Sequence, residues 1–285
     1  MEENTKNESP KKEKFFALWV SIFVVCTLCA AACVGYFVYH RVLRASMNDL
    51  YDRARTVRYV KSDSAPGEDS ASGGISYSED EKNGDTIVTI DFNLLRETGP
   101  DVYAWIEIPG TDIAYPIVQH PKNNSYYLRR AINGSYDVTG CIYTQNYNSR
   151  DFSDPNTVIY GHYMSDGTKF GSLLKYMDRD YFDEYKTVMI YTESEVFEYE
   201  IFAAVPFGTK HILLSYNYAS EKTDAFLDEV YAVTDSRANF SAERSDVSND
   251  KLITLSTCLK NSSRRFLVIA KLVKTTPVEG ASSVG

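Results

Sequence analysis

Hydrophobic positions along the chain follow three patterns, and each predicts a different kind of structure. Residues 15–39 form an apolar run of 25 residues without a charge. At about 1.5 Å of rise per residue that run spans a bilayer with some tilt, so the pattern predicts a transmembrane helix over 15–40, after a short N-terminal segment, 1–14. A cleaved signal peptide is the competing origin, since Ala30, Ala31 and Ala32 imitate a cleavage site, but a signal core is shorter and here the run continues past them. Residues 41–60 mix Leu, Val, Tyr and Arg without Gly or Pro and predict a juxtamembrane helix. Residues 61–85, rich in Ser, Gly, Asp and Glu, have too few apolar side chains to offset the entropy of ordering, which predicts a flexible linker.

From residue 86 the pattern changes to short β-branched and aromatic runs punctuated by Gly, Pro, Asn and Asp. Strands are predicted over 102–108, 113–118, 140–144, 157–160, 187–191, 196–205, 251–256 and 265–273. That number of strands within 86–274 suits a mainly β fold, an eight-stranded barrel whose closure removes the sheet edges. Short helices are predicted over 91–96, 169–177 and 222–234. In the last of these Ala225, Phe226, Glu229 and Val230 recur at three- and four-residue spacing. Residues 275–285 form a polar tail.

Composition narrows the function. A net charge of −9, from 39 acidic and 30 basic residues, argues against a nucleic-acid binder, which needs clustered Lys and Arg, and no basic face stands out in the sequence. It does not orient the anchor, because Lys6, Lys11, Lys12 and Lys14 on one side are matched by Arg41, Arg44, Arg53, Arg55 and Arg58 on the other. The five cysteines are too few and too scattered for a disulfide framework, and there is no paired CxxC motif for zinc. Cys26, Cys29 and Cys33 fall inside the apolar run, where small residues pack or face lipid, and Cys141 lies in a predicted strand.

Cys258 differs from these four, because it stands at the end of the apolar run 252–257, where strands meet loops and a reactive group can reach solvent. A cysteine nucleophile needs a base, and of the four histidines only His162 ends a strand as Cys258 does, whereas His40 borders the apolar helix and His120 and His211 fall in loops. Arg264 and Arg265 open the last strand, and a fixed guanidinium beside a thiolate stabilises an oxyanion. Strand alternation lets only one of the two point at Cys258.

These residues carry a resemblance. Thr254-Leu255-Ser256-Thr257-Cys258 is similar to the TLxTC signature of the sortases. The segments Asn156-Thr157-Val158-Ile159-Tyr160-Gly161-His162 and Gly167-Thr168-Lys169-Phe170-Gly171-Ser172-Leu173 resemble that family's histidine region, and Trp105-Ile106-Glu107-Ile108-Pro109-Gly110-Thr111 with Tyr115-Pro116-Ile117-Val118-Gln119 its first two strands. The likeness covers residues 91–274, and the helix before the cysteine strand points to class B.

The resemblance implies a sortase-type barrel held on the outer face of a Gram-positive cell membrane by a single-pass anchor, with residues 1–14 in the cytoplasm. Cys258 would be the nucleophile, His162 the general acid and base, and Arg265 the oxyanion partner, since it precedes an apolar pair and lies seven residues before Leu272. Ser256 and Thr257 would touch substrate. The activity implied is transpeptidation: a thiolate cleaves a sorting motif after Thr in a secreted surface protein, of the NPxTx or xPxTG type. The acyl group then passes from a thioester to an amine of a peptidoglycan precursor. No metal or organic cofactor is required. A pilin-polymerising sortase, with lysine as acceptor, and an anchored peptide-binding barrel without turnover are the alternatives. Tyr126, Tyr127, Tyr143, Tyr147 and Tyr163 either line a peptide groove or cover the barrel.

Overall fold

The computed structural model describes residues 10–60, 85–216, 223–247, 250–259 and 263–278. It divides into two units, Met1–Asp49 and Leu50–Gly285. The first contains most of a single helix, α1 (Pro10–Ala54), which by length and composition can cross a membrane and whose large apolar residues, Phe16, Phe23 and Leu28 among them, are exposed.

The second unit begins with the last turn of α1 and differs from the sequence expectation there. The helix ends at Ala54, and Arg55–Val60, expected to be helical, is strand β1, paired antiparallel with β2 (Asp85–Ile90) from Arg55↔Ile90 to Val60↔Asp85. The physical reason lies in the partner: Thr56, Val57, Tyr59 and Val60 are β-formers, and Thr86, Ile87, Val88 and Thr89 offer a complementary edge. Of the linker expected over 61–85, residues 61–84 lie outside the described residues and Asp85 already belongs to β2.

Helix α2 (Phe92–Thr98) follows, its N-terminus capped by Asp91, whose carboxylate accepts from the Leu94 N–H at 2.9 Å. Then come β3 (Val102–Glu107), β4 (Ala114–Val118), β5 (Ile142–Thr144), β6 (Asn156–Tyr160), α3 (Arg179–Glu184), β7 (Thr187–Tyr191) and β8 (Glu195–Phe207). Helices α4 (Ile212–Ser215) and α5 (Asp224–Tyr231) precede the two-residue β9 (Asn239–Phe240), β10 (Leu252–Cys258) and β11 (Arg265–Pro277). The helix expected over 169–177 is a 3-10 helix over Gly171–Met177. The last strand runs three residues beyond the expected boundary at 274, into the stretch read as tail.

Eight of these strands close a barrel in the order β11-β10-β6-β5-β4-β3-β7-β8, with β8 returning to β11. The pairs β4–β5 and β6–β10 are parallel and the remaining neighbours antiparallel. Alternate residues point inward: Ile106, Ile117, Ile159, Ile190, Ile253, Leu255, Phe266 and Val268 fill the interior. The opposite faces of β6, β8, β10 and β11 bury Val158, Val205, Leu252, Leu267 and Ile269 under Phe226, Leu227 and Val230 of α5. Burial on both faces explains why 201–207 of β8 and 266–270 of β11 read as continuous apolar runs.

Residues from the end of α1 belong to this unit's core. Leu50, Tyr51 and Ala54 are buried, the Tyr51 ring packs edge-on against Trp105 at 6.2 Å, and Arg55 makes a two-pronged ion pair with Glu107, its Nε donating to Oε2 at 3.0 Å. A chain begun at residue 86 loses all of these and leaves a nearly buried carboxylate unpaired. We expect it to be about 2–3 kcal/mol less stable than one begun at residue 42, melting about 5–10 °C lower in a thermal scan. Equal melting temperatures would show that the segment is dispensable.

Candidate active site

The barrel brings His162 and Cys258 to the ends of two neighbouring parallel strands. Strands β6 and β10 run in register from Asn156↔Leu252 to Tyr160↔Ser256, and the Gly161 N–H donates to Ser256 O at 3.1 Å. His162 and Cys258 each lie two residues past the Tyr160–Ser256 pair, so they leave the sheet at the same level. The entrance of this strand pair is clamped from side chains, since Thr254 Oγ1 donates to Asn156 Oδ1 at 2.9 Å.

Arg265 meets Cys258 by strand pairing. The two are directly opposed across β10 and β11, and the Leu259 N–H donates to Arg264 O at 2.9 Å just beyond them. Arg265 shares its face with Leu267 and Ile269, and Cys258 shares its face with Leu252 and Ser256, so both side chains stand on the outer face of the barrel. Arg265 Nη1 donates to Cys258 Sγ at 3.2 Å. Arg264 turns elsewhere and lies 4.0 Å from Asp235.

His162 is held by a backbone carbonyl. Its Nε2 lies 2.6 Å from Leu128 O, in the turn Tyr126–Arg129 between β4 and β5. A carbonyl only accepts, so Nε2 is the donor in this hydrogen bond and Nδ1 is the ring nitrogen outside it. The histidine loop is closed behind it by the Phe170 N–H donating to His162 O at 3.1 Å, with the Phe170 ring buried in the barrel.

Ser256 and Thr257, expected as substrate contacts, are 1% and 0% exposed, with hydroxyls that have no hydrogen-bond partner among the described residues. Alternation puts Ser256 on the Cys258 face and Thr257 on the inner face with Leu255 and Leu259. Their place in this structure is within the packing beside Cys258. Of the tyrosines considered for a groove, Tyr127 is buried and donates to Asp101 Oδ2 at 2.8 Å, and Tyr143 is buried and stacks on Tyr160 at 5.4 Å. Burial pushes the Tyr143 phenol up and the Arg265 cation pulls it back, which marks that ring as part of the Cys258–Arg265 surroundings. Tyr147 is the one of the five that is mostly exposed, at 52%.

Two features lie beyond the sequence reading, which gave the Leu128 carbonyl no part and placed His211 only in a loop. The Leu128 carbonyl is backbone and leaves no side-chain signal. His211 precedes α4, packs edge-on to Tyr147 at 5.9 Å and is held below its ordinary pKa by burial, with Arg265 adding to the effect. Its identity as one of only four histidines was the available signal, and its loop position hid its neighbours. Cys141 is a different kind of thiol from Cys258. It is buried, its Sγ donates to Arg130 O at 3.1 Å, and burial pushes it up to about 12, so it is protonated and inert at neutral pH.

Comparison with known proteins agrees with this architecture. The Sortase domain family matches residues 106–273. Sortase B of Listeria monocytogenes is 34% identical over 164 residues, and the match spans 58% of this chain and 65% of that protein's length. Sortase B from Bacillus anthracis, solved in complex with AAEK1, superimposes with a TM-score of 0.55 at 32% identity, over 64% of this chain and 84% of that one. A Streptococcus pyogenes class B sortase involved in pilus biogenesis gives the same TM-score at 27% identity, over 64% and 97%. With more than half of its length matched to the family, a closed eight-stranded barrel and sortase B proteins as its relatives, the chain belongs to the sortases, as a member of class B.

Proposed function

We propose that this protein is a membrane-anchored cysteine transpeptidase that cleaves a sorting motif after Thr in secreted surface proteins and joins the acyl group to a cell-wall amine. The observation that carries the reading is the Arg265 guanidinium donating to the sulfur of Cys258 at the end of β10, level with His162 at the end of the adjacent parallel strand. Helix α1 would hold the enzyme at the membrane, with the barrel outside the cell where surface proteins and peptidoglycan precursors meet.

The chemistry follows from the parts. The Cys258 thiolate attacks the Thr carbonyl carbon, forming a C–S bond, and the carbonyl oxygen takes the electron pair. Arg265, with five N–H donors, can keep one on sulfur and turn another to that oxygen. The imidazolium of His162 gives its Nδ1 proton to the departing amine as the C–N bond breaks, leaving a thioester and a neutral imidazole. The acceptor amine then attacks the thioester carbon, His162 takes a proton back at Nδ1, and the thiolate leaves. One peptide bond is exchanged for another with no net redox change.

The test is a reaction of the full chain, in detergent micelles, with Thr-containing pentapeptides, with and without an added amine, read by mass spectrometry. Cleavage after Thr and a ligated product only when amine is present are expected. Absence of both for every peptide would favour a binding barrel without turnover. Likeness to a sortase involved in pilus biogenesis keeps a second acceptor in view, and a lysine side-chain amine preferred over a peptidoglycan stem amine in the same assay would identify it.

A further inference from the structure

The carbonyl that holds His162 is itself placed by a cradle in which one position has no side chain. The turn Tyr126–Arg129 is pinned by the segment leading into β5. The Cys141 N–H donates to Tyr127 O, the Asp137 N–H to Arg129 O and the Cys141 Sγ–H to Arg130 O, each at 3.1 Å. Between these tethered carbonyls, Leu128 O accepts from His162 Nε2. Gly140 lies beside the oxygen of this carbonyl. Its φ is +56°, in the left-handed region, and a Cβ placed on it would stand 2.6 Å from Leu128 O, 2.7 Å from Tyr127 O and 3.0 Å from Leu128 C. All three are backbone atoms, so no side chain can swing away to make room.

We propose that Gly140 is a positioning residue of the transpeptidase. By having no side chain it lets the Leu128 carbonyl close on the His162 imidazole, fixing the proton on Nε2 and leaving Nδ1 to exchange protons with the substrate. The proposal rests on the role given to His162 above. It separates Gly140 from an ordinary turn glycine, whose replacement strains the fold without touching the proton-transfer group.

Gly134 supplies the control. It lies in the same connection with φ +77°, but a Cβ there meets only the hydroxyl end of Tyr126, at 3.0 Å. The experiment compares the full chain in detergent micelles, unaltered and as Gly140→Ala, Gly140→Asn, Gly134→Ala and His162→Ala. Steady-state kinetics on a Thr-containing peptide would be run across pH, alongside long-range proton–nitrogen NMR of the imidazole rings. A misplaced acid–base group costs about 10²-fold, so Gly140→Ala should lower kcat by that order with KM changed less than about twofold. Its pH–rate profile should be displaced, and the His162 ring should pass from a pure Nε2–H form to a mixture. Gly140→Asn, which tolerates the left-handed backbone yet carries the same Cβ, should behave likewise. Gly134→Ala should melt lower and keep both kcat and the ring spectrum.

An unaltered ring protonated on Nδ1 when neutral would overturn the proposal, and that spectrum decides it even if both Gly140 variants fail to fold. So would a folded Gly140→Ala with the unaltered rate and spectrum, or a Gly134→Ala that loses rate equally. Activity retained in His162→Ala would instead overturn the role of the histidine, a result distinct from any of these.

Discussion

Replacing Cys258 with alanine is expected to abolish peptide cleavage and amine ligation while leaving peptide binding within about twofold of the unaltered protein. The thiol is the only group at the ends of β6, β10 and β11, among the described residues, with the nucleophilicity to form an acyl intermediate. Cys141, the other cysteine of this unit, is buried with its proton committed to Arg130 O and its pKa pushed up to about 12. It cannot substitute for Cys258. The alanine side chain fits the same strand end, because Cys258 contributes one outward position to β10 and its backbone pairing with Arg265 does not depend on sulfur. Kinetics by mass spectrometry and affinity by fluorescence anisotropy of a labelled peptide would check both halves. Residual turnover above the uncatalysed rate would assign the chemistry to another residue.

Arg265→Ala is expected to lower kcat/KM by about 10²–10³-fold, the effect of removing one oxyanion donor. The loss is placed at the upper end of what one side chain supplies because of a backbone detail. In many acyl-transfer enzymes the amide following the nucleophile faces the oxyanion. Here that amide, Leu259 N–H, is spent on Arg264 O at 2.9 Å, as the first bond beyond the β10–β11 ladder. On the proposed mechanism the oxyanion would therefore depend heavily on the guanidinium. Arg265→Lys should recover only part of the rate, since an ammonium is a single point of charge and cannot keep one N–H on sulfur while turning another to oxygen in a fixed plane. Arg264→Ala, affecting a side chain directed toward Asp235, should change kcat/KM by less than about threefold. Equal losses for the two arginines would mean that general positive charge, rather than the Cys258–Arg265 pairing, supports the reaction.

Strand alternation made much of this site readable in advance. Once 251–256 and 265–273 are strands joined by a short connection, residues near their facing ends must oppose each other, and alternation then allows only one of the two arginines to meet Cys258. The register Cys258↔Arg265 is that outcome. The equal overhang of His162 and Cys258 was legible as two strand-ending residues, although their parallel pairing is a fact of topology. What stayed hidden depends on partners distant in sequence or on backbone atoms. Strand β1 reads as helix because 55–60 lack Gly and Pro, and its pairing with β2 is a contact between segments more than twenty residues apart. The hydrogen bond to Leu128 O and the cradle formed by Gly140 involve no side chain at all on one or both partners. Ser256 and Thr257 were read from their neighbours in sequence, whereas their exposure is decided by what the barrel packs against them.

The central claim, that Cys258 is acylated through its Thr-linked substrate, is tested most directly by intact-mass measurement of the full chain quenched in acid seconds after mixing with a Thr-containing sorting peptide in the absence of amine. A mass increase equal to the acyl group ending in Thr, that is the fragment acid less one water, is predicted, localised to Cys258 by peptide mapping, discharged by hydroxylamine and missing from Cys258→Ala. Peptide cleavage with no acyl adduct at any time, or an adduct that survives in Cys258→Ala, would contradict the account.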